Sequence, residues 1–210
     1  MTLRSLLIFM LVGFTLPVAD GAFAQEVDTD HSYKGAPVVL QGRHSLSIGF
    51  GLLPDAETSP GIVSANGFLA SFSYAYWPRS EWGLEASVSL LSSELSGGNA
   101  ASISSILFGA SYYPECLALG SFARSYISGA AGPYIGSETG SGFQDAGPKM
   151  QTVVGARLGI GADAYAWNWL RLGLRAAYHA TPEYDDALGA ILSGSGAQLS
   201  LEVGVSFGGE

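Results

Sequence analysis

The sequence predicts an all-β fold: a transmembrane antiparallel up-and-down β-barrel, of eight strands, that follows a cleavable signal peptide. Three observations predict it: apolar and small residues alternate in eight segments, charge is confined to one face of those segments, and short connections alternate with long ones. Composition agrees, because 29 of the 210 residues are glycine and only 13 % are charged. The charged share is about half of the ~25 % usual in soluble domains.

The N-terminus has the three parts of a secretory signal peptide. A basic Arg4 comes first, an apolar run begins at Leu6, and a stretch of small residues ends at Ala24. The apolar run is shorter than the ~20 residues of a membrane-spanning helix, and Pro17 interrupts it. We therefore expect cleavage between Ala24 and Gln25. The predicted domains are the signal peptide at 1–24, a short periplasmic N-terminal arm at 25–43 and the barrel at 44–210.

Eight segments are predicted as strands because their apolar residues recur at every second position. The predicted strands cover residues 44–52, 67–76, 82–90, 106–112, 122–135, 154–163, 170–179 and 199–207. The apolar positions are even-numbered in the first four strands and in the sixth and seventh, as at Leu46 and Leu158, and odd-numbered in the eighth, as at Leu201. The opposite positions hold glycine, serine and a few charges.

The fifth strand has a less distinct pattern. Its odd positions include Ile127 and Ile135, and its even positions include Arg124, Tyr126 and Tyr134. We predict that the odd positions point outward, because this places Arg124 inside the barrel.

Charge distinguishes the two faces of the other seven strands. Every charged residue of those strands lies on the small-residue face: Glu85, Arg157, Asp163, Arg171, Arg175 and Glu202. Glycine, serine and pairable charges suit the crowded interior of a small barrel whose apolar face meets lipid. A soluble secreted β fold stays open as an alternative, since an uncharged face also suits an ordinary core.

The connections alternate in length. Those after the second, fourth and sixth strands are short, at 78–81, 114–121 and 164–168, whereas those after the first, third, fifth and seventh are longer, at 53–65, 94–101, 136–149 and 181–196. Outer-membrane barrels show this alternation, with the short turns on the periplasmic side. Strands of ~9 to 11 residues, tilted near 45°, are long enough to cross.

Aromatic residues collect at the short connections, which is typical of a membrane–water boundary. The predicted aromatic girdle contains Trp77, Trp82, Trp167, Trp169, Tyr76, Tyr112 and Tyr165, with Tyr113 beside them. Packing of the hairpin ends is the alternative explanation.

The six inward charges are predicted to form an ion-pair belt, since buried charges need partners. Counting residues across the connections pairs Thr181 with Gly196 and so sets Arg175 opposite Glu202. Across the preceding turn, pairing Asp163 with Trp169 sets Arg157 opposite Arg175. A lumen of eight strands is barely wider than its own side chains, so the belt is interpreted as a plug, with a selectivity or gating device as the alternative.

His179 is the one weak candidate for catalysis. It is expected to face inward near the outer mouth, with Glu183 beyond it, where a hydrolase would need a nucleophile such as Ser200 or Ser193 within hydrogen-bond reach. A rim histidine satisfied by loop carboxylates or water is the alternative.

No metal, cofactor or nucleic acid is expected. The formal net charge of −9 opposes phosphate binding, and the acidic loops lack the ligand spacing of a twelve-residue calcium loop. Cys116 is the single cysteine, which excludes an intrachain disulfide.

The chain resembles the small eight-stranded outer-membrane barrels of the OmpA/OmpX type and the wider porin-like outer-membrane β-barrel domain family. The resemblance covers residues 43–207 and rests on the alternating segments GARLGIGADAY, LRLGLRAAYHATP and LSLEVGVSF. In that family a terminal strand with a final aromatic residue is recognised by the assembly machinery. Phe207 fits this pattern, although Gly208, Gly209 and Glu210 follow it.

The resemblance implies a place in the outer membrane of a Gram-negative cell envelope. The implied partners are outer-membrane lipids, lipopolysaccharide, the barrel-assembly machinery and periplasmic chaperones. The expected role is structural, adhesive or weakly porin-like, with a largely plugged polar lumen and no enzymatic activity. A lipid-modifying enzyme, as a hydrolase of lipid A or phospholipid acyl groups, is the alternative, and a soluble periplasmic β-barrel binding protein is the third candidate.

Overall fold

A computed structural model describes residues 39–53, 67–94, 100–119, 122–139, 149–184 and 195–209. The predicted signal peptide and nearly all of the predicted N-terminal arm lie outside these described residues, as does Ser193. Within them, no helix has both the length and the apolar character needed to cross a bilayer.

The described residues form nine strands in chain order. They are β1 (Arg43–Leu53), β2 (Gly67–Arg79), β3 (Trp82–Glu94), β4 (Ala100–Tyr112), β5 (Ala118–Leu119), β6 (Ala123–Thr139), β7 (Lys149–Trp167), β8 (Leu170–Ala180) and β9 (Gly196–Gly208). A 3-10 turn, Glu115–Leu117, precedes the two-residue strand β5. Within the described ranges, β5 pairs with the start of β6 alone.

The eight long strands close into an antiparallel barrel. Each pairs with its neighbours in the chain, β4 pairs directly with β6, and β1 pairs with β9 from Arg43 opposite Gly208 to Leu52 opposite Leu199. Closure pairs each of these eight strands with a neighbour on both sides, which is how barrels avoid edge-to-edge aggregation. The predicted fold class, an eight-stranded all-β up-and-down barrel, is confirmed.

The two ends of the barrel differ. We call the end with the short connections, at 80–81, 113–122 and 168–169, the turn end, and the opposite end the loop end. The connections at the turn end are short, as predicted, but two of them are shorter than predicted because β2 continues to Arg79 and β7 to Trp167. β6 and β7 are longer than predicted, at 17 and 19 residues.

Apolar side chains cover the outside of the barrel, as the alternation predicts. Leu158 is 70 % exposed and Phe108 is 65 % exposed. The small residues that alternate with the apolar residues along each strand point inward. We call this surface the apolar belt; its large members include Ile48, Phe50, Leu84, Ile106, Phe108, Leu158, Ile160, Leu172, Leu174, Leu201 and Val203.

The faces of β6 agree with the prediction for the fifth strand. Ile127 is 54 % exposed, whereas Tyr126 and Tyr134 are buried, so the odd positions point outward. The pattern is indistinct because small residues occupy the middle of β6. One of them, Gly132, packs so closely on β4 that an added β carbon would collide with the carbonyl oxygen of Ile106.

The pairing register of the predicted belt is wrong. Arg175 lies opposite Ser200 rather than Glu202, and Arg157 lies opposite His179 rather than Arg175. Turn geometry sets the register of a hairpin, and the turn between β7 and β8 is tighter than the count assumed, because β7 continues to Trp167. Between β8 and β9, Thr181 leaves the ladder, and its amide instead bonds the hydroxyl of Ser195 at 3.0 Å.

The predicted girdle needs a correction. Trp82, Trp167, Trp169 and Tyr112 point outward at the turn end, and Trp167 stacks on Trp169 with ring centroids 5.8 Å apart. Trp77, Tyr165 and the neighbouring Tyr113 are instead buried inside the barrel, along with Leu40. Odd positions explain this for Trp77 and Tyr165, since odd positions face the lumen in β2 up to Trp77 and in β7 up to the irregularity that follows Tyr165.

Candidate functional site

The lumen is filled at three levels. Aromatic residues occupy the turn end, six charged residues occupy the middle, and an apolar group occupies the loop end. We call the first the turn-end cluster (Leu40, Ala75, Trp77, Tyr113, Tyr126 and Tyr165) and the last the loop-end cluster (Leu69, Leu91, Ile103, Leu107, Tyr134 and Tyr184). The middle level, the charge network, consists of Glu85, Arg157, Asp163, Arg171, Arg175 and Glu202.

The structure brings together all six charged residues that the alternation places inside. They come from β3, β7, β8 and β9, and all of them are buried. They meet although the predicted register is wrong, because the register errors are of two and four residues. An even shift keeps a residue on the same face of its strand.

Glu85 of β3 holds two arginines at once. Its Oε1 accepts hydrogen bonds from Arg157 Nη2 at 2.7 Å and from Arg175 Nη1 at 2.8 Å. Its Oε2 accepts a third from Arg175 Nη2 at 2.9 Å. The Arg175 contact is bidentate, the geometry in which arginine and carboxylate bind most strongly.

Glu202 of β9 joins the next two charges. Its Oε2 accepts from Arg171 Nη2 at 3.1 Å, and its Oε1 lies 3.2 Å from Arg175 Nε. The same Arg175 Nε donates to the hydroxyl of Tyr126 at 3.0 Å. Arg175 therefore bridges Glu85 and Glu202.

Asp163 ends the network towards the turn end. Its Oδ1 lies 3.0 Å from Arg171 Nε, an ion pair without good hydrogen-bond alignment, and its Oδ2 accepts from the hydroxyl of Tyr113 at 3.0 Å. Arg171 also donates to the hydroxyl of Ser47 at 3.0 Å and lies 6.0 Å from the ring centroid of Trp77. These contacts tie the charge network to the turn-end cluster.

Positive and negative groups therefore alternate along one continuous series of ion pairs. In order, its members are Arg157, Glu85, Arg175, Glu202, Arg171 and Asp163. Three positive and three negative groups balance, which is what burial of charge requires. The chemical capacity of this arrangement is to bind the inner walls of β3, β7, β8 and β9 to one another across the lumen.

His179 has both ring nitrogens occupied. Nε2 lies within hydrogen-bond distance of Gln198 Oε1, which can only accept, so Nδ1 is left to accept from the hydroxyl of Tyr134 at 2.9 Å. Ser200 contacts the amide of Gln198 instead of the histidine. Among the described residues, no serine hydroxyl is hydrogen-bonded to His179, and Glu183 is exposed at the loop end.

Several neutral partners in the lumen were not predicted. Tyr113, Tyr126, Tyr134 and Gln198 bond the charged network or His179. Their inward positions follow from strand parity, which is the signal that identifies them. In the part of the chain that the structure describes, no group of three or more histidine, cysteine or acidic side chains is placed to hold a metal ion, and Cys116 is exposed.

No protein-family model matches the chain, and no curated protein matches it. Solved structures do. The outer membrane protein OprG from Pseudomonas aeruginosa is 14 % identical with a TM-score of 0.59, over 83 % of this chain and 99 % of that one. Neisserial surface protein A is 12 % identical with a TM-score of 0.56, over 80 % and 98 %.

A third similar structure is Ail, the attachment invasion locus protein of Yersinia pestis. It is 14 % identical with a TM-score of 0.52, over 80 % of this chain and 99 % of that chain. At sequence identities this low, the structural similarity establishes a shared fold. The chain therefore has the closed eight-stranded antiparallel β-barrel fold of the small outer-membrane barrels.

Proposed function

We propose that the chain is an outer-membrane β-barrel protein with a closed lumen and a structural or adhesive role, in which the barrel is a rigid support for its outer loops. The observation that carries this proposal is the combination of an apolar exterior with a buried, charge-balanced network of ion pairs in the lumen.

The exterior supports a lipid environment. The apolar belt continues around the barrel, and monomeric soluble proteins rarely expose apolar patches of more than a few hundred Å². The outward aromatic residues at the turn end, including Trp82 and Trp167, are what a membrane–water boundary favours. A cleaved signal peptide at 1–24 would supply the export that this location needs.

The interior supports a closed barrel. An open passage would require separating buried ion pairs such as Arg157 with Glu85. Loss of one partner from a buried ion pair lowers stability by about 3–5 kcal/mol, because the other charge stays buried without compensation. The aromatic turn-end cluster and the loop-end cluster fill the lumen on either side of the network. We infer that steady diffusion through the barrel is not the function.

The long strands support a role at the outer surface. Near the loop end, outward positions become polar at Ser92, Ser102, Ser137 and Thr152, and the hydroxyls of Ser102 and Ser137 are 2.8 Å apart. This polar rim lies beyond the apolar belt, so the loop end would project into water as a platform. Lipopolysaccharide around this platform, and the assembly machinery and chaperones during biogenesis, are the proposed partners.

Conductance in planar bilayers tests the closed lumen. We expect the unmodified protein to stay closed, and Glu202→Ala to open at least about tenfold more often, because a loss of only about 1.4 kcal/mol changes an equilibrium tenfold. Glu202→Ala removes one carboxylate from each of Arg171 and Arg175. Glu183→Ala, at an exposed loop-end position, is the control. Steady conductance of the unmodified protein, unchanged by Glu202→Ala, would contradict a closed lumen.

A further inference from the structure

We propose that the loop-end mouth of the barrel holds a binding site for a small aromatic alcohol, in an apolar well whose walls are Leu69, Leu91, Ile103 and Tyr134 and which the side chain of Tyr184 occupies. The site goes beyond the proposed scaffold role and does not depend on it.

The lumen becomes apolar at the loop end, where the well lies. In the middle of the barrel the inward side chains include the six charged residues and several serines. Near the loop end, the inward positions of β2, β3 and β4 are instead Leu69, Leu91 and Ile103. The outward positions beside Leu91 and Ile103 include the polar Ser92 and Ser102, while Phe68, beside Leu69, is apolar and 52 % exposed. Apolar inside and polar outside is the pattern of a water-exposed barrel that encloses an apolar ligand.

Tyr184 shows what the well accepts. It follows β8 at the loop end, belongs to the loop-end cluster and is only 5 % exposed. Its hydroxyl is buried without a hydrogen-bond partner among the described residues, which leaves a polar group uncompensated. Burial raises the pKa of Tyr184 to about 12, so the hydroxyl stays a neutral phenol.

The floor of the well is polar. A cavity of about 20 Å³ lies there, between Leu69, Leu91, Ile103, Tyr134, His179 and the serines Ser89 and Ser105. Space of this size accommodates about one water molecule or one hydroxyl group. The hydroxyls of Ser89 and Ser105 are 2.7 Å apart, so each has remaining capacity to bond a third hydroxyl.

The two halves of the well define the ligand class. Aliphatic walls and the ring of Tyr134 favour an aromatic body of about the size of a tyrosine side chain. The hydroxyls of Ser89 and Ser105 on the floor favour one hydroxyl at the end of the ligand. A neutral phenol or aromatic alcohol meets both requirements, and it would bind in competition with Tyr184.

The experiment uses the full chain folded in detergent micelles, with p-cresol as the probe and binding followed by NMR, after subtraction of the signal from empty micelles. We expect saturable binding to the unmodified protein. Toluene, which lacks the hydroxyl, should bind roughly fivefold more weakly, because one hydrogen bond contributes about 1 kcal/mol. Tyr184→Ala should bind p-cresol more tightly, since it removes the competing ring.

Matched variants separate the well from the belt. Ile103→Ser should weaken p-cresol binding about tenfold or more through loss of apolar contact, whereas Phe108→Ser, which changes an outward residue of the same strand, should not change it. Migration on unboiled gels verifies that each variant is folded. The proposal is overturned if the unmodified protein shows no saturable binding while Tyr184→Ala does, which would mean a cavity made by the substitution only. Equal weakening by Ile103→Ser and Phe108→Ser would overturn it as well.

Discussion

Replacing Glu85 by alanine is expected to lower the free energy of unfolding by about 3–5 kcal/mol, the range measured when one partner of a buried ion pair is removed. Glu85 contacts Arg157 and Arg175 within 2.9 Å. Arg175 keeps Glu202, but the described contacts leave Arg157 with no other ion pair, so its charge would be buried and uncompensated. Urea unfolding in detergent micelles, followed by tryptophan fluorescence, measures the loss.

Two further variants make this result specific. Glu85→Ala combined with Arg157→Ala should recover part of the lost stability, because the uncompensated cation is removed with its partner. Glu183→Ala, at an exposed position, should change stability by less than about 0.5 kcal/mol. A Glu85→Ala protein as stable as the Glu183→Ala protein would show that the charge network does not stabilise the barrel.

Replacing Leu158 by arginine should lower the free energy of unfolding by about 2–4 kcal/mol if lipid surrounds the barrel, since this is the cost of a charge on the lipid face near the bilayer midplane. Leu158 is an outward residue of β7 in the middle of the apolar belt. Folding into lipid vesicles, measured over a urea series, gives the change.

Met150→Arg is the matched control on the same strand. Met150 is 68 % exposed, which is close to the 70 % of Leu158, but it lies at the loop end of β7, where the cost should fall to about 0–1 kcal/mol. In a barrel surrounded by water, both substitutions would place an arginine on a solvated surface and would be equally harmless. Equal effects of the two substitutions therefore contradict a lipid-facing belt.

The faces of the strands could be predicted from the sequence because alternation depends only on local residues. Arg171 and Glu202 belong to β8 and β9, whose predicted register is wrong, and both are still inside and 3.1 Å apart. Which charge opposes which could not be predicted, because register depends on how each turn closes. The continuation of β7 to Trp167 moved every pairing between β7 and β8.

The inward positions of two girdle residues and the apolar loop-end cluster were not predicted from the sequence. The assignment of Trp77 and Tyr165 to the girdle followed their height near the short connections and neglected the parity of their strands, which places them inside. The loop-end cluster differs from the predicted polar lumen, because its inward residues are apolar. Leu91 and Ile103 continue the inward parity of β3 and β4, but only the closed barrel shows that they meet Tyr134 and Tyr184.

Separation of cell envelopes on a density gradient tests the central claim most directly, with migration of boiled and unboiled samples compared on the same fractions. We predict that the mature chain, beginning at Gln25, is found with the outer membrane, and that the unboiled barrel migrates differently from the boiled chain. A protein found wholly in the soluble periplasm would contradict the claim that the apolar belt faces lipid.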